Sequence, residues 1–441
     1  MESATILEKR KVETMAGKKI LILDRGDNVD SARYLAHAGN LIYYYAEVDP
    51  RVGQEVKDLY AGLGFEQIAS CIKVDSWMSC IDDVDAIICL ASGFGELTNW
   101  LRSKGYKVYG SGSGEILESQ EYTGRKVMGA CGIAVPESRV CASIPEIMRL
   151  MEKMEDGGYV VKAEKGVDGF QTIMGQRGEI IAKLAELKRK LHYKKAPFRV
   201  ESLIDGTSVN MFGMYNKWGF AGDYIIDWEA ADGGVMTCVK DSHVLIKGGL
   251  AKIEKALSKY SIKGMVGIKA LISRHAQMLY GKRIVAAMKP QSIGLANRIM
   301  VDASEAPYIT AAEDYDYKKN NMSIVKASGE WGIYANCYVS EGKEVSQDFI
   351  DLGTVYRDRD VVLGRVMLDG TQRCWALPGA QRLFSVVGKG MSYNEAVSDL
   401  KGNIERVQKL EPEITGYYDM GFKDEILDRI VNFGLSDIKN L

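Results

Sequence analysis

The sequence predicts an α/β protein of more than one domain, with a parallel sheet flanked by helices at its N-terminus. Three observations carry this. Short apolar strand patterns alternate with helical ones as far as Tyr109, the signature of a parallel sheet covered on both faces. A strand-like run ending in a lysine, a loop with two glycines and a second strand-like run then occupy Tyr159–Met174. Finally, 441 residues are too many for a single core, so roughly two to four domains are the natural division.

Taken in order, Lys18–Leu23 (KKILIL) is a buried-strand pattern that ends in DRGDN and precedes a helical stretch, Val29–Gly39. Leu41–Glu47 and Val84–Leu90 supply further strands, ASGFGEL opens a helix through Leu101, and Tyr106–Tyr109 is the next strand. Small-molecule sites in such sheets form at the carboxyl ends of strands. DRGDN (24–28) and SGFGE (92–96) are therefore candidate rim loops, with plain turns as the alternative. From Gly110 a Gly/Ser turn leads into a helix of about fifteen residues that presents Arg125 and Lys126, then a turn ending at Pro136. Ser143–Glu155 has the spacing of an amphipathic helix, Ile180–Leu191 is a lysine-rich one, and Phe198–Ile204 and Ser208–Tyr215 are partner strands. Helix Leu250–Tyr260 precedes strands Met265–Ser273 and Arg283–Lys289. Beyond Asn321 lie several strands and a helix at Tyr393–Leu410, with no internal repeat.

Apolar content of 46% and charged content of 26% describe a globular chain. A net charge of -2 gives no broad electrostatic reason to expect nucleic acid as a partner. The first 17 residues are polar and read as a frayed leader, with no secretory apolar segment and no run long enough to span a bilayer. Eight cysteines are scattered without a CxxC pair, which favours buried thiols in a reducing cytoplasm. Only four histidines occur, far apart, a poor basis for a histidine metal centre or a histidine-driven nucleophile.

The stretch that organises the chain is YVVKAEKGVDGFQTIM, 159–174. Gly166 and Gly169 let backbone N–H groups approach an anion closely, and Lys162 supplies a fixed positive charge beneath them. That is the construction of a mobile phosphate-covering flap. An ordinary hairpin with a surface lysine is the alternative, since the loop matches neither the P-loop nor the dinucleotide fingerprint.

In order, these elements resemble the ATP-grasp superfamily, and within it the phosphoribosylamine–glycine ligase (glycinamide ribonucleotide synthetase) family, from about Lys18 to the C-terminus. The family's Gly-Pro turn into a Leu-Glu pair resembles Gly110–Glu118, with Leu117–Glu118 kept. Its strand-ending lysine corresponds to Lys162, its EEFLDGEE hinge resembles Glu201–Ser208 (ESLIDGTS), and its TGGMG substrate loop resembles Asp232–Met236 (DGGVM). Arg382–Gly390 and Asp419–Gly421 echo its late motifs. The resemblance implies an N-terminal α/β domain at 18–115, an ATP-grasp domain at 116–320 with a flap subdomain near 135–203, and a C-terminal α+β domain at 321–441. It further implies a ligase that phosphorylates a carboxylate with ATP and lets an amine attack the acyl phosphate. Positioning and charge neutralisation then carry the rate. Arg125 and Lys162 would contact phosphate and be catalytic, with Lys165–Gly169 (Gly166 and Gly169 included) covering it. Glu201, Ser202 and Leu203 would read the adenine edge, Ser208 would meet the ribose, and Gly233 and Gly234 would contact substrate.

Three departures qualify this. Arg125 stands where the family has lysine, which keeps the charge and changes the geometry. Ser208 stands where the ribose-binding carboxylate is expected. Ala287, Lys289 and Gln291 stand at the family's Glu-x-Asn-x-Arg positions, so the oxygen ligands magnesium demands are missing and magnesium is in doubt; no metal ligand is assigned. Another register would bring in Asp302 or Glu305. Asp227, Glu229, Asp232 and Asp241 could charge the substrate pocket differently, or be solvated loop carboxylates. Two readings stay open: an ATP-dependent carboxylate–amine ligase, and a descendant keeping the scaffold for nucleotide binding or assembly. Small molecules are the expected partners, without nucleic acid or membrane, and a homo-oligomer is left open.

Overall fold

The first five strands pair in parallel, with the first, from Ile20 to Leu23, and the fourth, Ala86–Cys89, apolar on both faces. β1 (Lys19–Asp24), β2 (Leu41–Ala46), β3 (Cys71–Lys73), β4 (Ala86–Cys89) and β5 (Val108–Tyr109) lie in the order β3-β2-β1-β4-β5, with Ile20 opposite both Ile42 and Ala86. Helix α1 (Val29–His37) follows β1 and α2 (Gly95–Ser103) follows β4. Ile20 and Ile22 pack in one core with Ala32 and Leu35 of α1, while Leu21 and Leu23 pack in another with Leu101 of α2, so the alternate residues of one strand fill two cores. The computed structural model describes residues 17–47, 60–163, 172–191, 198–230, 232–273, 278–286, 307–314, 316, 319, 331–338, 348–379 and 382–411.

The helix expected after Gly110 is broken into three. A 3-10 turn at Gly112–Glu115 runs into α3 (Ile116–Ser119), Gln120 leaves helical geometry with ψ of 84°, and α4 (Glu121–Ala130) starts afresh. Leu117 is fully buried and the Glu118 carboxylate accepts the Ala286 N–H at 3.0 Å, so this short segment anchors a strand end far along the chain. Next come β6 (Ser138–Cys141), α5 (Ile144–Met151), β7 (Gly158–Ala163), β8 (Ile173–Gln176), α6 (Arg177–Leu191) and β9 (Phe198–Ser202). The strands form an antiparallel sheet in the order β6-β9-β7-β8, and β7 and β8 are the expected hairpin. Ile144, Ile147, Met151, Ile180 and Leu184 of the helices pack on Tyr159, Val161, Phe198 and Val200. Alternation turns the neighbours of those four, Lys162, Arg199 and Glu201, to the opposite face.

Eight of the remaining eleven described strands form an antiparallel sheet. They are β10 (Gly206–Asn216), β11 (Gly219–Glu229), β12 (Gly233–Lys240), then after α7 (Val244–Gly248) and α8 (Leu250–Leu257) β13 (Gly264–Ser273) and β14 (Leu279–Val285). Helix α9 (Pro307–Ala312), β15 (Trp331–Tyr338), β16 (Ile350–Asp351), β17 (Val361–Leu363), β18 (Val366–Leu368), β19 (Cys374–Ala376), β20 (Arg382–Gly390) and α10 (Tyr393–Leu410) complete the order. The large sheet runs β14-β13-β10-β11-β12-β15-β20-β17, and β16, β19 and β18 make a separate small sheet. Two expectations are corrected here. Gly233 and Gly234 begin β12, paired with Ala335 and Tyr334 of β15, and do not form a loop. The strand expected at Arg283–Lys289 is Leu279–Val285. The division expected near 320 falls between β14 and β15, strands of one sheet. None of the eight cysteines is in a disulfide and seven are buried. Among the described residues no helix is long and apolar enough to cross a membrane.

Candidate functional site

Two basic side chains from different elements meet at the open face of the small sheet. Lys162 ends β7 and Arg125 lies on α4, and both reach the same pair of carboxylates. Lys162 Nζ is 2.9 Å from Glu121 Oε1 and 3.1 Å from Glu201 Oε1, while Arg125 Nη2 is 2.7 Å and 2.8 Å from the same two oxygens. Arg199, directly opposite Lys162 across the β7–β9 pairing, stands 3.9 Å from each. Three cations thus surround two carboxylates. The Arg125 and Glu201 side chains are 5% and 3% exposed, those of Lys162 and Glu121 19% and 23%, so water reaches one half of the cluster only.

Helix α4 can deliver Arg125 because Gly124 has no side chain. A Cβ there would sit 2.3 Å from the Leu117 carbonyl oxygen. Arg125 Nε also donates to the carbonyl of Lys282, which occupies a register shift between β13 and β14. Burial lowers the Lys282 ammonium from its ordinary value, helped by the neighbouring charges of Lys162 and Lys269. Burial would raise the Glu121 carboxyl, but Lys162 and Arg125 outweigh it and hold it below the usual range. Arg125 Nη1 is buried with no hydrogen-bond partner among the described residues. A buried guanidinium N–H left open beside an excess of cations suits an anion with several oxygens.

Ser208 lies on the face of the large sheet shared by Asn210, Lys269 and Asp227, and its hydroxyl is buried without a partner among the described residues. Ser202 N–H donates to the Glu137 carbonyl and Leu203 N–H to that of Gly158. The Ser202 side chain belongs to the opposite face from Glu201, where it lines a cavity of about 870 Å³ with Val200 and Tyr159. Glu201, expected at an adenine edge, is engaged instead by Arg125 and Lys162. On the cluster's own face Val140 and Met174 are 53% and 59% exposed, an apolar margin around the charges. Lys126 points away and stacks on Tyr122. Gly166, Gly169, Ala287, Lys289, Gln291, Asp302 and Glu305 lie outside the described residues.

A second polar group faces the same side of the large sheet. Asp227, 1% exposed, accepts from Asn210 Nδ2 and from the Tyr334 hydroxyl, each at 3.2 Å, and Glu229 is 2.6 Å from Lys269 Nζ. Burial, with Glu229 alongside, pushes the Asp227 carboxyl up to about 7. Gly234 leaves the room: a Cβ there would lie 2.4 Å from the Tyr334 hydroxyl. Asp227 and Glu229 are strand residues, whereas Asp241 is exposed in a turn. Among the described residues no group of three or more histidines, cysteines or carboxylates is placed to hold a metal ion. Glu229 Oε2 is paired with the Lys269 ammonium and also accepts from Asn210 Nδ2, a poor fit for magnesium.

The two rim loops of the parallel sheet are closed on themselves. Asp24, fully buried, accepts from the backbone and side chain of Asn28 and from Tyr44. Gly93 and Gly95 N–H both donate to the Glu115 carboxylate. Glu121, Arg199, Lys269 and Lys282 were not singled out from sequence. Only Arg199 carried a signal, its even spacing from Glu201 on a strand.

This architecture, a clasp between a small antiparallel sheet and a large one beside a parallel N-terminal sheet, is the ATP-grasp fold. The chain matches phosphoribosylamine–glycine ligase from Thermotoga maritima with a TM-score of 0.62 at 14% identity, over 91% of this chain and 97% of that one. It matches biotin carboxylase from Campylobacter jejuni, solved with a βγ-ATP ligand, with a TM-score of 0.58 at 14% identity, over 97% and 96% of the two chains. It matches an L-amino acid ligase from Bacillus licheniformis with a TM-score of 0.56 at 10% identity, over 88% and 98%. No family model matches the sequence, and no curated protein matches it. At these identities the likeness establishes the fold.

Proposed function

We propose that the cluster around Arg125 and Lys162 binds the phosphates of ATP, and that the chain is an ATP-dependent carboxylate–amine ligase of the glycinamide ribonucleotide synthetase type. The observation that carries this is the convergence of Lys162 and Arg125, from separate elements, on one pair of carboxylates beside Arg199 and Lys282. A cationic pocket with an open guanidinium N–H and an apolar margin at Val140 and Met174 suits a ligand that is anionic at one end and flat and apolar at the other. When bound, ATP supplies the phosphoryl group that turns a carboxylate into an acyl phosphate. The chain's own part is to hold phosphate oxygens with Arg125 Nη1 and Lys162, and to offer the Ser208 hydroxyl to the sugar. The loop carrying Gly166 and Gly169 is assigned to cover the phosphates. The carboxylate and amine are small molecules, glycine and phosphoribosylamine being the first to try.

A specific observation favours a second reading, a nucleotide-binding protein without the phosphoryl chemistry: the Glu229 carboxylate on the large sheet is paired with the Lys269 ammonium, whose charge opposes a divalent ion there. Isothermal titration of ATP with and without magnesium separates the two. Metal-dependent binding with ADP release on adding carboxylate and amine supports the ligase; binding indifferent to metal, with no ADP, supports the second. In either case Lys162→Ala is expected to weaken ATP binding by about tenfold or more. Unchanged binding in that variant removes the site from this cleft.

A further inference from the structure

Glu121 does something at this cluster that neither reading assigns. Its Oε1 stands beside three cations: Arg125 at 2.7 Å, Lys162 at 2.9 Å and Arg199 at 3.9 Å. A carboxylate oxygen in that position makes the contacts that a phosphate oxygen would make. Glu201 makes nearly the same contacts, at 2.8, 3.1 and 3.9 Å, but the two differ in their surroundings. Glu201 sits mid-sheet with its side chain 3% exposed and has no water to move into. Glu121 sits in the first turn of α4 with its side chain 23% exposed, and rotation about its side-chain bonds carries it into solvent.

We infer that Glu121 is a displaceable carboxylate that occupies the phosphate position when no nucleotide is bound, while Glu201 is the fixed one that keeps Arg125 and Lys162 aimed at that position. The inference rests on the nucleotide reading of the cluster and adds its regulation. An incoming polyphosphate must compete with Glu121 for the same N–H donors, so weakly charged anions are excluded and several phosphate oxygens are needed to win. The lowered Glu121 carboxyl fits this, because acid cannot vacate the position in the neutral range. The displacement involves no bond making or breaking.

The test is titration of ATP and of inorganic tripolyphosphate, each with and without magnesium, into the full-length protein and its Glu121→Gln, Glu121→Asp and Glu201→Gln variants. Glu121→Gln removes the competing charge, and Glu121→Asp keeps the charge but retracts it from Lys162. Both are expected to tighten binding of the two anions by about three- to tenfold, and Glu201→Gln to weaken it. The two Glu121 variants stand in for each other should one fail to fold, which a thermal melt reveals. Glu121 variants that bind equally or more weakly, with wild-type binding intact, overturn the displacement and leave the nucleotide reading standing. No binding of either anion to any of the four proteins overturns both.

Discussion

Glu201 has almost no water around it and is neutralised from two sides, so the consequences of removing either cation differ. Arg125→Met strips the partner that is itself 5% exposed and leaves a buried carboxylate short of charge; a loss of about 3 kcal/mol is expected from urea denaturation. Lys162→Met removes a cation that is 19% exposed, where solvent screens the change, and less than half that loss is expected. Asp227 gives a pH signature. Its carboxyl is held near 7 in the folded protein against an ordinary 3.8, so folding takes up a proton there. That contribution is complete below the unfolded value and lost as pH rises through about 7. The denaturation midpoint is expected to fall between pH 5 and pH 8, and Asp227→Asn to flatten the fall; an unaltered slope in the variant places the titration elsewhere. Lys162 was legible in the sequence because a lysine ending a strand before glycines is a local pattern, whereas Arg125 was singled out through the family resemblance. Glu121 was not, since an acidic residue in a helix's first turn reads equally well as a partner for the helix dipole.

Elements that bury both faces were readable: β1 is apolar at four consecutive positions and α10 shows helical spacing over its whole length, with Ser392 and Glu395 forming a capping box. Those whose character depends on a distant partner were not. Ala230 through Gly234 has the composition of a turn, yet its glycines enter a strand because Tyr334 must cross their face to reach Asp227. Likewise one helix was expected where Gln120 breaks it, and nothing local announces that Leu117 and Gly124 must pack backbone to backbone. Gly124→Ala tests that contact. With the carbonyl of Leu117 in the way, α4 must shift, at a cost of about 1–3 kcal/mol. ATP binding should fall with it because Arg125 rides on α4; calorimetry on the variant reads both.

Across the whole molecule, Arg33 of α1 joins the N-terminal unit to the C-terminal one. It is 1% exposed, pairs with Asp30 at 2.7 Å, and donates to the carbonyls of Tyr356 and Val361, the latter in β17. Such a side chain couples the two units in unfolding. Arg33→Ala takes the buried donor from those carbonyls and the cation from Asp30, and a split of one denaturation transition into two is expected, measured by circular dichroism against urea. None of this was visible in sequence, where Arg33 is one cation on a helix.

The large sheet has a further consequence for anyone dividing the chain. β12 hydrogen-bonds to β15 from Gly233 to Thr237, across the point at 320 where a domain boundary would be drawn. A fragment stopping there would present a bare strand border, apolar in Val235 and Met236, with main-chain amides and carbonyls seeking a substitute. Expressed alone, it should precipitate or pair with copies of itself, and co-expression of the missing C-terminal part should rescue it by restoring that border.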